Sequence, residues 1–389
     1  MNKMIRTGAR GILTRRAFVG ASLGAAAQFG CGPSKHDALR AYAFVANSEG
    51  ATVAVADLAT FAVARQIRMD GQPSQVIAPA GRPSVYVLMP ASGSVHEIAV
   101  QQLKVQRKLR LGQSAVSMRM SPDGRSLYVL LAQPKKLVRI GLDRFETDWE
   151  LPLPMSAVDF DLDADTSAKT PRQVGAISYG TAGSFAFFDP ADRKLFPVIQ
   201  MGGEVGKVRF QYGRELIVAS LTGRALSVYD SLLQRRMVEL PLKNRPDQLC
   251  FNADSGQLFV TGEGSDAVSV VYPYRTPEVA ETVLAGRQPG AMAVSEDPSY
   301  LFIANPSSGD VTILNSDHKV MAIVSVGAEP CCIATTPNSE FALVLNRKSG
   351  DMAVLRIGTI NRNRILKSAS LFTMIPVGSA PVSVAVRMI

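Results

Sequence analysis

A unit of about forty residues begins near Gly71 and returns until the C-terminus, and each copy opens on a corner rich in Gly or Pro. The corners are Gly71-Gln72-Pro73, Gly112-Gln113-Ser114, Leu153-Pro154-Met155, Gly203-Glu204-Val205, Asn244-Arg245-Pro246, Arg287-Gln288-Pro289, Gly327-Ala328-Glu329-Pro330 and Gly378-Ser379-Ala380-Pro381. A repeat of this length cannot bury its own apolar face, so it must stack on its neighbours, and that requirement outranks any local pattern.

Within each unit the second segment is the clearest. Ala43-Phe44-Val45-Ala46-Asn47, Val85-Tyr86-Val87, Leu127-Tyr128-Val129, Leu216-Ile217-Val218, Leu258-Phe259-Val260, Leu301-Phe302-Ile303-Ala304-Asn305 and Phe341-Ala342-Leu343-Val344 are short β-branched or aromatic runs bounded by turn residues, which is the pattern of strands. Val53-Ala54-Val55, Val95-His96-Glu97-Ile98, Leu226-Ser227-Val228-Tyr229-Asp230 and Val311-Thr312-Ile313 supply a third strand, and polar runs such as residues 62–67 a fourth. Four antiparallel strands per repeat, repeated around a ring, is the arithmetic of an all-β β-propeller. Eight corners predict eight blades. The copy between residues 154 and 201, with a polar insertion at residues 161–172, is the poorest and leaves seven open.

The ends of the chain complete one unit between them. Residues 378–389 supply a corner and the strand Val382-Ser383-Val384-Ala385-Val386, whereas residues 41–69 supply strands with no corner before them. Pairing the two would close the ring and remove an exposed sheet edge.

Two copies, Ser121-Pro122-Asp123-Gly124-Arg125-Ser126-Leu127-Tyr128-Val129 and Leu301-Phe302-Ile303-Ala304-Asn305-Pro306-Ser307-Ser308-Gly309-Asp310-Val311, resemble the unit of the YVTN family of β-propeller repeat proteins. The resemblance spans nearly all of residues 41–389. It implies the fold; as to function, blades of this kind occur in binding proteins, surface proteins, lactonases and redox enzymes, so the site must be argued from its own residues.

Residues 1–31 stand apart from the propeller. They hold Lys3, Arg6, Arg10, Arg15 and Arg16, no acid, and an apolar Gly/Ala-rich stretch from Phe18 to Gly30, which is the layout of an export signal. Thr14-Arg15-Arg16-Ala17-Phe18-Val19 resembles a twin-arginine signal, with a general secretory signal as the alternative. Two processing sites fit: Ala25-Ala26-Ala27 suits a signal peptidase, and Gly30-Cys31-Gly32 resembles the end of a lipoprotein box, with Cys31 as the lipidated residue and residues 32–40 as a linker. The expected location is periplasmic or extracytoplasmic, with membrane contact only through such an anchor.

The formal charge of +9 shrinks on that reading, since 42 basic residues less the 5 of this segment leave 37 against 33 acids, a net +4. The remaining basic residues lie in short pieces, Lys135-Lys136, Arg235-Arg236 and the group Arg362, Arg364 and Lys367, without the continuous stripe that nucleic-acid binding calls for. Of the histidines, His36 falls in the linker, His96 on a third strand and His318 in a turn. No Cys-x-x-Cys-His is present, so neither covalent haem nor a histidine-rich metal site is expected. Cys250 reads as a buried apolar residue. Cys331-Cys332 follows a corner, and reads as two small residues packed at a strand start, with a vicinal disulfide as the alternative.

Aligning the corners places Gln75, Arg119, Asp159, Lys207, Arg209 and Gln248 on first strands, where the other positions are apolar: Val76, Val158, Val208, Met292, Ile333 and Val384. These six polar residues are the candidate channel ligands. Asp159 with Arg119 and Arg209 reads first as a structural ion network, because buried charges persist only when paired. No catalytic residue, metal or cofactor is assigned. The expectation is an exported, monomeric binding platform for an envelope protein or small ligand, its recognition surface formed by the corner loops and the insertion at 161–172. A propeller lactonase and a cofactor-dependent oxidoreductase are the alternatives.

Overall fold

Short strands joined by tight turns hydrogen-bond most readily to their sequence neighbours, and in the computed structural model they do so eight times over, as eight antiparallel sheets arranged in a ring. The structure describes residues 40–163, 174–211, 215–273, 276–360 and 370–389. The signal with Arg15, Arg16 and Cys31, most of the linker with His36, most of the polar insertion, and the group Arg362, Arg364 and Lys367 lie outside these residues.

Blade 1 is built from both ends of the propeller: Pro381–Met388 is its inner strand, paired antiparallel with Ala41–Asn47, followed by Thr52–Asp57 and Ala62–Arg68. Blades 2 to 8 follow in chain order, with inner strands Gln75–Ile77, Ser114–Met120, Asp159–Leu162, Val205–Phe210, Gln248–Phe251, Met292–Val294 and Pro330–Thr335. Blade 4 is the irregular copy, and its outer strand is broken into Lys194–Leu195 and Ile199–Gln200. The count is therefore eight.

The core is not one mass but eight apolar seams, one between each pair of neighbouring blades. Strand period explains why. Successive side chains point to opposite faces, so in the triplet Leu127-Tyr128-Val129 the outer two residues fill the seam with blade 2 and Tyr128 fills the seam with blade 4. Leu301-Phe302-Ile303 divides in the same way between blades 6 and 8. Buried on both faces, these middle strands read as continuous apolar runs.

The asparagine that ends some of these strands has its own role. Asn305 accepts from the Gly286 N–H at 3.1 Å and donates to Asp310 at 2.7 Å, while Asn47 donates to the carbonyl of Val377 at 2.8 Å. A Cβ on Gly286, Gly327 or Gly378 would meet the side chain of Asn305, Asn346 or Asn47 respectively at 2.4 to 2.7 Å. The side chain thus ties the entering corner to the blade it opens, and the corner must be glycine to let it approach.

Candidate functional site

The same alternation that fills the seams orders the inner strands. One set of residues, Val76, Met118, Phe160, Val208, Leu249, Met292, Ile333 and Val384, packs into the seam with the preceding blade. Val158, expected in this set, lies ahead of the strand and is 46% exposed; Phe160 takes its place because the inner strand of blade 4 begins only at Asp159. The alternate residues face the following blade, and these are the polar candidates.

Gln75 closes a pair of hydrogen bonds on the backbone of Met118, donating to its carbonyl at 2.8 Å and accepting from its N–H at 2.9 Å. Arg119 reaches the Phe160 carbonyl and, through Nη2, Asp159 Oδ1 at 3.1 Å. Asp159 Oδ2 in turn accepts from Arg209 Nη1 at 2.6 Å and from the Val208 N–H at 3.2 Å, and Asp161 accepts from the Phe210 N–H at 2.9 Å. Lys207 donates to Gln248 Oε1. The Val76 N–H donates to Ser383 Oγ at 3.1 Å, and the Cys331 thiol donates to the Pro381 carbonyl at 3.2 Å across the closing blade.

Every one of these links joins an inner strand to that of the next blade. All six residues expected on first strands lie on inner strands, and the structure brings Arg119, Asp159 and Arg209 together with Asp161. Lys207 and Gln248 form a separate pair, and Gln75 stands alone on Met118.

Charge follows geometry. Burial pushes the Asp159 carboxyl up, but Arg209 and Arg119 outweigh it and hold the group below its ordinary value. A carboxylate held ionised by two guanidiniums and an N–H is a poor proton acceptor near neutral pH. Lys207, by contrast, is pushed down to about 8 by burial and by Arg209, against the pull of Asp159. Burial raises the thiols of Cys250 to about 12 and Cys332 to about 11, and that of Cys331 also upward. The three cysteines among the described residues are free, so Cys331 and Cys332 are unbridged neighbours packed in the seam between blades 8 and 1. Among the described residues no three His, Cys, Asp or Glu side chains converge as metal ligands.

The open space lies elsewhere. A cavity of about 630 Å³ is lined by Asp247, Gln248, the 262–266 turn and the corner at Gln288–Gly290, between blades 6 and 7. A second, about 550 Å³, shares Gln288 and continues along Ser307, Ser308, Glu329 and Lys348. A third, about 790 Å³, shares Glu329 and Lys348 and runs past Arg347 to Gly378 and Glu49, between blades 8 and 1. Corners and the turns between second and third strands fall at the same end of antiparallel blades, so the three join into one trench on the corner face.

One point differs from expectation. The trench uses the second-to-third-strand turns, whose signal in the sequence was the recurrent Ser-Gly of Ser308-Gly309 and Ser349-Gly350. Most of the insertion at 161–172 lies outside the described residues; its described flanks, Asp163 and Val174, pair at the end of blade 4 away from the corner.

The fold and this face define the class, an eight-bladed β-propeller with a polar trench across the corners of half its ring. Among solved structures, the chain is similar to one described as "Dihydro-heme d1 dehydrogenase NirN in complex with DHE", with a TM-score of 0.70 at 14% identity over 92% of this chain and 76% of that one. It is also similar to a functionally unknown protein from Desulfotomaculum acetoxidans DSM 771 (TM-score 0.59, 13% identity, 89% and 98% covered) and to Kuenenia stuttgartiensis hydrazine synthase (0.55, 18%, 82% and 92%). At these identities the likeness shows the fold alone. No family model and no curated protein matches the chain.

Proposed function

We propose that this chain is an exported, non-enzymatic binding platform of the cell envelope, whose recognition face is the corner trench over blades 6, 7, 8 and 1. One observation carries the reading: three cavities follow one another along the corner face, the first two sharing Gln288 and the last two Glu329 and Lys348, while Arg119, Asp159, Arg209 and Asp161 of the inner strands are engaged in holding blade to blade. Turns on a rigid scaffold are where such proteins carry function. The twin-arginine-like segment and Cys31 support delivery to the envelope, and the YVTN-like copies suit a surface or binding role.

The second reading is a cofactor-dependent oxidoreductase, favoured by the names of two structural neighbours, a dihydro-heme d1 dehydrogenase and a hydrazine synthase. A thermal-shift panel of divalent metals, quinones, tetrapyrroles and sugar lactones separates the two. A ligand at a hundred times its Kd adds about 2.7 kcal/mol to folded stability. On the platform reading, the panel is flat or any shift disappears in Gln288→Ala and Lys348→Glu, and these variants lose capture of the envelope partner. A coloured protein, or turnover that survives both substitutions, overturns it.

A further inference from the structure

The outer strand of each blade is a free sheet edge, and a free edge is a template for pairing unless it is blunted by charge, shortness or cover. Six of the eight edges here are managed in those ways. Blades 1, 2, 3, 5 and 6 carry charged residues in their outer strands, as in Lys104–Arg110 and Glu146–Pro152, and that of blade 4 is short and broken. The outer strand of blade 8, Leu371–Pro376, has no charge and leaves Phe372 41% and Met374 39% exposed, but Phe372 packs on Phe61 of blade 1 at 4.7 Å and under Arg356 at 4.1 Å, so this edge is partly covered.

Blade 7 is more open still. Its outer strand, Val320–Ser325, reads Val-Met-Ala-Ile-Val-Ser, with Ile323 63% and Val320 41% exposed. Leu284, at the end of the blade 6 outer strand, is 76% exposed.

We infer that this edge is a homodimer interface, in which Val320–Ser325 of two copies pair antiparallel across a two-fold axis. The strand is its own complement. With the axis between Ala322 and Ile323, Val320 faces Ser325, Met321 faces Val324, and the flanking Lys319 faces Val326, so no like charges meet. The same operation on blade 2 would set Lys104 against Arg110 and Arg107 against itself, which repels. A closed two-fold contact also consumes the edge completely and cannot propagate into a filament. The interface replaces the expectation of a monomer, and it does not depend on the trench.

Sedimentation of the full chain over a dilution series tests the inference, with hydrogen exchange on the 320–325 amides as a second readout. The expected result is a dimer whose dissociation constant rises about 100-fold or more in Ile323→Lys, with those amides losing protection on dilution. Thr282→Lys, on the already charged edge of blade 6, leaves the dimer intact. Because Ile323 is mostly exposed, Ile323→Lys keeps the melting temperature of the dissociated wild type. A wild type that stays monomeric at roughly 100 µM, or a dimer indifferent to Ile323→Lys, overturns the interface.

Discussion

Replacing Asp159 by asparagine tests whether the charged band on the inner strands holds the ring or holds a ligand. Asp159 is 8% exposed and receives two guanidiniums and an N–H from the blades on either side of it. A hydrogen bond to a charged group is worth about 1.5–3 kcal/mol. Asparagine retains one acceptor oxygen, and Arg119 and Arg209 keep 28% and 18% of their side chains in water, which softens the loss; about 3 kcal/mol is expected. Asp159→Leu, which strands both guanidiniums, approaches about 5 kcal/mol. For a unit the size of residues 39–389, about 1.4 °C of melting temperature per kcal/mol follows from the entropy of unfolding per residue, so the shifts are roughly 4 and 7 °C.

The pH dependence has a definite sign. Asp159 is held below its ordinary value in the folded state, so its contribution is fully present above that value and disappears as pH falls through the lower folded pKa. The gap between wild type and Asp159→Asn, measured by calorimetry, therefore narrows on the acid side. A variant that melts within about 1 °C of wild type yet loses ligand or partner binding would refute the structural assignment and make the trio a site.

Three further outcomes are expected. Lys207→Met melts above wild type at pH 7, because an amine pushed down to about 8 opposes folding while charged; the difference fades as pH rises from about 8 towards the ordinary lysine value, and a gap constant across pH 7–10 refutes this. Gly327→Ala destabilises blade 8, since the added Cβ would lie 2.3 Å from Ser349 Oγ and 2.6 Å from Asn346 Nδ2, and about 1–3 kcal/mol by denaturant titration is expected. Removing residues 381–389 deletes the strand that pairs with Ala41–Asn47 and yields aggregated protein; a truncation that remains dispersed and melts cooperatively contradicts the closure.

Much of the architecture was readable because the middle strands are buried on both faces, so Leu127-Tyr128-Val129 and its copies announce themselves without tertiary information. Closure was readable because Val382 to Val386 had a corner and no partners, and residues 41–69 had partners and no corner. The candidate polar residues were readable as a set, since alternation on an inner strand forces them to one side. Their engagement was not: whether Gln75 faces solvent or the Met118 backbone depends on the 43-residue separation between blades, which no local pattern encodes. Val158 was misplaced because the corner of blade 4 is followed by extra residues before pairing starts. The trench was hidden for a different reason, as it is the gap left where neighbouring turns fail to touch.

The closing blade also sets a schedule. Ala41–Asn47 is made before the strands of blades 2 to 8 and its inner partner, Pro381–Met388, after them, so during synthesis every blade but the first can assemble while the ring stays open. Until residues 381–388 leave the ribosome, Ala41–Asn47 shows an unsatisfied edge to its surroundings. Whatever guards a nascent chain of this kind must do so until that strand emerges, and its arrival, rather than formation of any of blades 2 to 8, is the event that commits the ring to the native state.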